Sequence, residues 1–556
     1  MASISPYTGV LGKRLAKHLL RRATYNQNQT SIDNFSNLTG KQAVEALFNI
    51  PNLNLTEPID PENLTPFINS GVEPVSSDFF LTRHIISWWM EEARQDTSIA
   101  HKLSFFLHSV FIVNADAGQA RQFFDYLNLF RQTAARYTNG SFSMDSIQNL
   151  ALKMVTDNVM LRYLNGNDNV DTSPNENFAR EFFELFTIGK GPQIGPGDYT
   201  TYTEADIGEA AKVLTGWTNQ NRPLGQGGNP LYTDPQTGIQ RGKARFNQHD
   251  TTDKTFSPAF NSTTITAATD TNDMWRELED FVEMIFLQDA TAKNICRKLY
   301  RYFVSSNITA EIESDIINPL AATLIQNDYQ ISFALKQLLM SQHFYDLDDS
   351  DNSNEIIGSL LKSPFELLYH TISFFQIAPP DYLTDTDNHF NNWYRRTVAN
   401  VITTQGGMFF FFPDSVAGYP AYYQEPGYSR NWFNGSTLIA RYKQAEILLS
   451  GTRVLQGGTN GGVAFEIVPF IKNSGAISDP ANASILVNEL IDYLFPETPL
   501  ADRAAYFLDV FLDDLSPINW SFEWANYLNT DDDSAVKIPL ETLFKALISS
   551  QEFGLM

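Results

Sequence analysis

The chain has 556 residues, 43% of them apolar and 13% aromatic, which excludes a disordered protein and supplies enough material for a large core. A formal net charge of −25 excludes nucleic-acid binding through phosphates and disfavours adsorption to anionic lipid. It suits a cationic partner, bound cations or simple solubility.

The start, Met1 to Pro6, has no apolar run before Lys13 and Arg14, so no secretory signal is expected in this chain. Residues 12–24 read as a basic amphipathic helix, with Leu15, Leu19 and Leu20 on one side. Residues 78–95 hold Phe79, Phe80, Ile85, Ile86, Trp88, Trp89 and Met90 and predict a deeply buried helix. Residues 99–113 predict another, and Asp145-Ser146-Ile147-Gln148 opens one running to about Leu164. Ser173 to Gly189 writes a complete helix. Ser173 is a suitable N-cap, Pro174 sits at the first helical position, and Glu176 can close a capping box onto Ser173. Gly189 is placed to end it in the left-handed conformation. Phe178, Phe182 and Leu185 form its apolar stripe, widened by Phe183 and Phe186. Glu176, Asn177, Arg180, Glu181 and Glu184 gather on the opposite side. Thr203-Glu204-Ala205-Asp206 caps the next helix, which ends at Gly216.

Residues 217–275 turn rich in Gly, Asn, Thr and Pro and predict a long irregular insertion with a small hairpin, Lys243 to Phe246 being one β-favouring piece. Helices resume from Asp273 to Tyr345 and contain the single cysteine, Cys296, read as a small core residue. One cysteine excludes an intrachain disulfide. The acidic run 346–355 reads as a linker; it lacks the Gly and terminal Glu of an EF-hand loop. Beyond it come a helix at 364–375, a Gly- and aromatic-rich stretch at 405–434, and helices at 435–450, 485–495, 500–513 and 540–551. The longest apolar burst, Met408 to Phe412, falls far short of the roughly 20 residues that span a bilayer. The expected fold is therefore mainly α, a large multi-helix assembly in two lobes, 1–345 and 356–556, with one long irregular insertion.

Carboxylates and imidazoles on adjacent helices are how helical folds build metal sites. Glu181 and Glu184 share a helix face, His108 lies on an earlier helix, and His249-Asp250 sits in the insertion. Together His108, Glu181, Glu184, His249 and Asp250 are candidate ligands for a divalent metal that would activate water. His108, Arg180, Glu181 and Glu184 are the candidate catalytic groups. The competing reading is a structural ion network, with Arg180 pairing Glu176 and Glu184 four residues away, and Glu204 and Asp206 stabilising a helix N-terminus. No His-Glu-x-x-His or Glu-x-x-His spacing occurs, which favours the network. No Gly-x-Ser-x-Gly elbow occurs either, and the Gly457–Gly462 run lacks the Lys-Ser/Thr of a phosphate loop. Phe409–Phe412, Tyr419, Tyr422, Tyr423, Tyr428 and Trp432 can stack on a sugar, form an interface, or plug the seam between lobes; the plug is favoured.

Pro174 to Gly189 resembles the hallmark of the bacterial family catalogued as domain of unknown function 1800. His18 to Thr24, Tyr202 to Asp206 with Leu214 to Thr218, Gly418 to Pro420, and Asn431 to Arg441 resemble further blocks of that family, in order and over nearly the whole chain. The resemblance implies no established activity. It implies frequent export, and a protein partner of the kind encoded beside many members, which looks like sulfatases and alkaline phosphatases. The family often shows Phe-Trp-His-x-His-Phe; here Phe106 to Phe111 keeps the first His as His108 but has Leu107 for the Trp and Val110 for the second His. A metal pair there would have lost a ligand. The first functional expectation is thus a non-enzymatic binding or assembly protein, acting with a protein partner or as a homo-oligomer. The second is a metal-dependent hydrolase using His108, Glu181, Glu184 and His249.

Overall fold

The computed structural model describes residues 2–69, 72–135, 138–139, 142–143, 145–221, 232–348, 355–451 and 463–556. The Gly457–Gly462 run and most of the acidic linker lie outside them. The fold is mainly α. Its described strands form two-stranded antiparallel ladders, among them Trp217–Thr218 against Lys243–Ala244 and Lys254–Thr255 against Thr264–Ile265, both in the insertion. No described helix is long and apolar enough to cross a membrane.

Several helices start where their capping residues place them. Asp78–Gln95 follows Ser77. Glu204–Val213 follows a reciprocal box between Thr203 and Asp206, and Pro364–Phe374 one between Ser363 and Glu366. The stretch expected as one helix to Leu164 is two, Ile147–Val155 and Asn158–Tyr163. It breaks because the Asp157 carboxylate accepts the Val159 and Met160 amides and starts a new helix.

The first helix, Gly12–Ala23, is the basic amphipathic segment, but its basic residues do not all face solvent. Lys17, Arg21 and Arg22 are buried. Lys17 donates to the Phe495 carbonyl at 3.0 Å, and Arg21 to those of Tyr493 and Leu494 at 3.0 and 2.9 Å. These carbonyls end the helix Ala483–Leu494 and have no partner within it. Cations there satisfy them and complement the helix dipole.

That contact joins the two ends of the chain, and the core does the same. One continuous cluster of buried apolar side chains runs from Leu11 to Phe553. Trp89 meets Phe365, Phe410 and Phe411, while Phe105 stacks on Phe410 with centroids 4.9 Å apart. Phe411 holds a left-handed φ of 63°, a strained conformation for a bulky residue, and packing against these rings fixes it. Across the acidic run, Asp346 accepts the Ile356 and Ile357 amides at 3.0 and 2.8 Å.

Candidate functional site

The hallmark helix begins later than its sequence suggests. Asn175, not Ser173, is the N-cap, accepting the Asn177 amide, and the α-helix covers Glu176–Glu181. Ser173 instead donates its amide to Val170, and the Asn169 side chain holds the Asn175 amide at 2.7 Å. Phe182–Phe186 continue as a π-turn, a geometry frequent at functional sites. Gly189 ends the segment at φ 73°, as expected.

The polar stripe is largely committed to neighbours. Arg180 clasps Glu204 bidentately at 2.8 and 2.7 Å and reaches Glu176 at 3.3 Å. The twin bond holds the Arg180 guanidinium above its ordinary range and the Glu204 carboxyl below its own. Glu184 does not bond Arg180: it accepts from Tyr202 at 2.9 Å and pairs with Lys190 at 2.7 Å. Glu181 is half-buried and has no hydrogen bond or ion pair among the described residues. Burial, with the Glu184 charge second, raises its carboxyl.

His108 and His249 lie elsewhere. His108 is fully buried, its Nδ1 2.7 Å from the Tyr126 hydroxyl, which itself donates to the Phe111 carbonyl. Phe105 and Phe411 cover its ring, and burial pushes its pKa down to about 3. It is a neutral core imidazole. His249 donates from Nδ1 to the Thr215 carbonyl at 2.9 Å and places Nε2 3.3 Å from Glu277. Lys254 completes this buried cluster, 2.8 Å from Glu277 and bonded to the Asp250 carbonyl at 2.6 Å. Asp250 caps its own turn through Thr252. These contacts clamp the insertion onto the helix Asp273–Phe286. Among the described residues, no three His, Cys, Asp or Glu side chains converge as a metal site requires.

A different constellation does converge. Where the N- and C-terminal halves meet, a cavity of about 70 Å³ is lined by Val110, Leu185, Lys298, Arg301, Tyr302, Glu366, Tyr422, Tyr428 and Trp432, among others. Val110 is the position of the missing second histidine, Leu185 belongs to the hallmark helix, and Trp432 to the C-terminal block. Lys298 and Arg301 come from one face of the helix Asp289–Phe303. Lys298 caps the π-turn through the Leu185 carbonyl at 2.6 Å, and burial, then the charge of Arg301, pushes it down to about 8. Arg301 lies 5.0 Å over the Tyr428 ring. Tyr428 holds a left-handed φ of 41°, and its hydroxyl donates to Glu425 at 2.5 Å. Strain of this kind persists where the surroundings over-determine it, commonly at ligand sites. Tyr422 packs edge-on to Trp432 and tilts against Tyr302. The aromatic stretch thus divides: Phe410 and Phe411 plug the seam, whereas Tyr422, Tyr428 and Trp432 wall the cavity.

Sequence reasoning picked out the tyrosines and Trp432 but missed Lys298, Arg301 and Glu366. The one signal for the two cations was a Lys-x-x-Arg pair, and Lys293 and Arg297 on the same helix mask it. A chemical group in this cavity would meet two cations, hydroxyls and π-faces, a set suited to recognition.

No curated protein and no solved structure matches the chain. A family described as "Protein of unknown function (DUF1800)" matches residues 18–554. The chain therefore belongs to the DUF1800 family.

Proposed function

We propose that this is a binding protein, and that its ligand site is the cavity between the two halves. One observation carries the reading: segments more than 300 residues apart, at 110 and 432, wall one cavity that holds two cations, Lys298 with no carboxylate partner among the described residues and Arg301 paired at 3.6 Å with the exposed Glu425. Small-molecule sites are concave, largely apolar, and carry a few convergent polar groups. The strained Tyr428 beside Arg301 supports the same place. The hydrolase reading draws less support, because Arg180 and Glu184 are tied into ion pairs and His249 is held by the Thr215 carbonyl, contacts that hold the fold. The test uses Trp432 as a reporter. Small molecules of differing charge should change tryptophan emission in the full chain, and the change should vanish in Trp432→Phe. Hydrolytic activity abolished by Glu181→Gln, with unchanged stability, would overturn the reading.

A further inference from the structure

We infer that the ligand of this cavity carries one small oxyanion group (a carboxylate, sulfate or phosphate) held by Arg301 and Lys298. The inference rests on the binding-protein reading and adds the ligand's chemical class. Its first support is an unmet donor. Arg301 Nε is buried without a hydrogen-bond partner among the described residues. The nearest carboxylate, Glu425, is 3.6 Å from a different nitrogen and 72% exposed, so it neither bonds Nε nor neutralises the guanidinium well. An ammonium has three donors. Lys298 spends one on Leu185, and like charge three residues away leaves the pair repelling each other.

The acidic side chain of the cavity wall is already engaged. Glu366 is the one Asp or Glu among its lining residues. It is already bound to Lys102 and accepts the Ser363 amide at 2.7 Å. Its charge also acts on Arg22, Lys362 and Arg441. Lys362 Nζ, and Nε and Nη1 of both Arg22 and Arg441, have no hydrogen-bond partner among the described residues. Glu366 thus serves Lys102, Arg22 and Arg441 beside a cavity that holds two more cations, while burial drives Lys362 toward its neutral form. In a chain of net charge −25, this concentration of positive charge runs against the composition. Burying it without counter-charge is expensive. An anion in the cavity offsets the cost, and a planar or tetrahedral oxyanion matches the guanidinium fork. Size agrees: about 70 Å³ is several times the roughly 10–15 Å³ a cavity needs to admit one water, enough for one such head group. Tyr422 and Trp432 are left to pack on the remainder of the ligand.

The experiment titrates sulfate, phosphate and acetate into the full chain by calorimetry at constant ionic strength, with chloride as the reference salt. At least one oxyanion should bind with one site per chain. Arg301→Gln should weaken it tenfold or more, Arg301→Lys less, and Arg83→Gln, outside the cavity, not at all. Circular dichroism checks that each variant is folded. No binding above chloride, or binding unchanged in Arg301→Gln and in Lys298→Gln, overturns the inference. If neutral sugars or amides move the Trp432 signal while no oxyanion does, the binding reading stands and this inference falls. If nothing of any charge moves it, the binding reading falls with it.

Discussion

Glu366→Gln isolates the electrostatics of the seam. Gln keeps the shape and an oxygen to accept the Ser363 amide, so the cap of the Pro364–Phe374 helix survives. What is lost is the negative charge. Lys102 and Glu366 are 1% and 5% exposed, so solvent cannot take over the role of the missing partner. Removing one member of such a buried pair typically costs about 3–5 kcal/mol, most of it the penalty of an uncompensated charge. Here the effect lies at the upper end, because Arg22 and Arg441 also feel the same carboxylate. The assay is urea unfolding of the full chain followed by far-ultraviolet circular dichroism. Lys102→Met with Glu366→Gln should recover only part of the loss, since Arg22 and Arg441 remain. A loss below about 1 kcal/mol in Glu366→Gln would refute the reasoning, showing that these cations are neutral or otherwise compensated. Full recovery in the double variant would refute the sharing.

Three further outcomes follow from the same geometry. Asp157 is buried and its carboxyl is pushed up to about 7 by burial, so between about pH 4 and 7 the folded state keeps a proton the unfolded state has lost. Its contribution therefore falls as pH rises through that window, and Asp157→Asn, which still accepts the Val159 and Met160 amides, should stabilise the protein at pH 8 by roughly 2–4 kcal/mol; equal stability of the two proteins at pH 8 in denaturant melts would count against it. Arg180→Ala breaks a bidentate pair whose members are 32% and 43% exposed, so it should cost about 1 kcal/mol or less and less still in high salt; a loss above 3 kcal/mol would mean the stripe is buried more deeply than this. Gly189→Ala would place a methyl 2.9 Å from the Asn294 side chain at φ 73°, displacing the amide that caps the Thr187 carbonyl; a loss of about 1–3 kcal/mol in thermal melts is expected, and a neutral result would contradict the left-handed assignment.

Much of the fold was legible because local chemistry and periodicity agree. Glu204–Val213, Pro364–Phe374 and Gly435–Ser450 begin at caps that the residues spell out. Pro517–Thr530 carried an equally readable signal, Pro517 at its start and Trp520, Trp524 and Tyr527 buried on one face. Where prediction and structure part, a distant group has outbid a local one. Asn169 takes the Asn175 amide and moves the hallmark helix start from Ser173. Buried Lys17 and Arg21 look like surface charge until the carbonyl end of Ala483–Leu494 is placed over them. The candidate site was the least legible part. His108, Glu181 and His249 look alike in sequence as ligands, yet one is a core imidazole, one a half-buried acid and one a clamp. The seam cavity draws its charged side chains from positions 298, 301 and 366, and no spacing rule links the last to the first two.

The most direct test of the seam cavity is lysine footprinting of the full chain by acetylation and mass spectrometry, with and without phosphate at matched ionic strength. Labelling of Lys298, which lines the cavity, should fall when phosphate is present, while exposed Lys190 labels equally in both. Equal labelling of Lys298 with and without phosphate, sulfate and acetate would contradict the account.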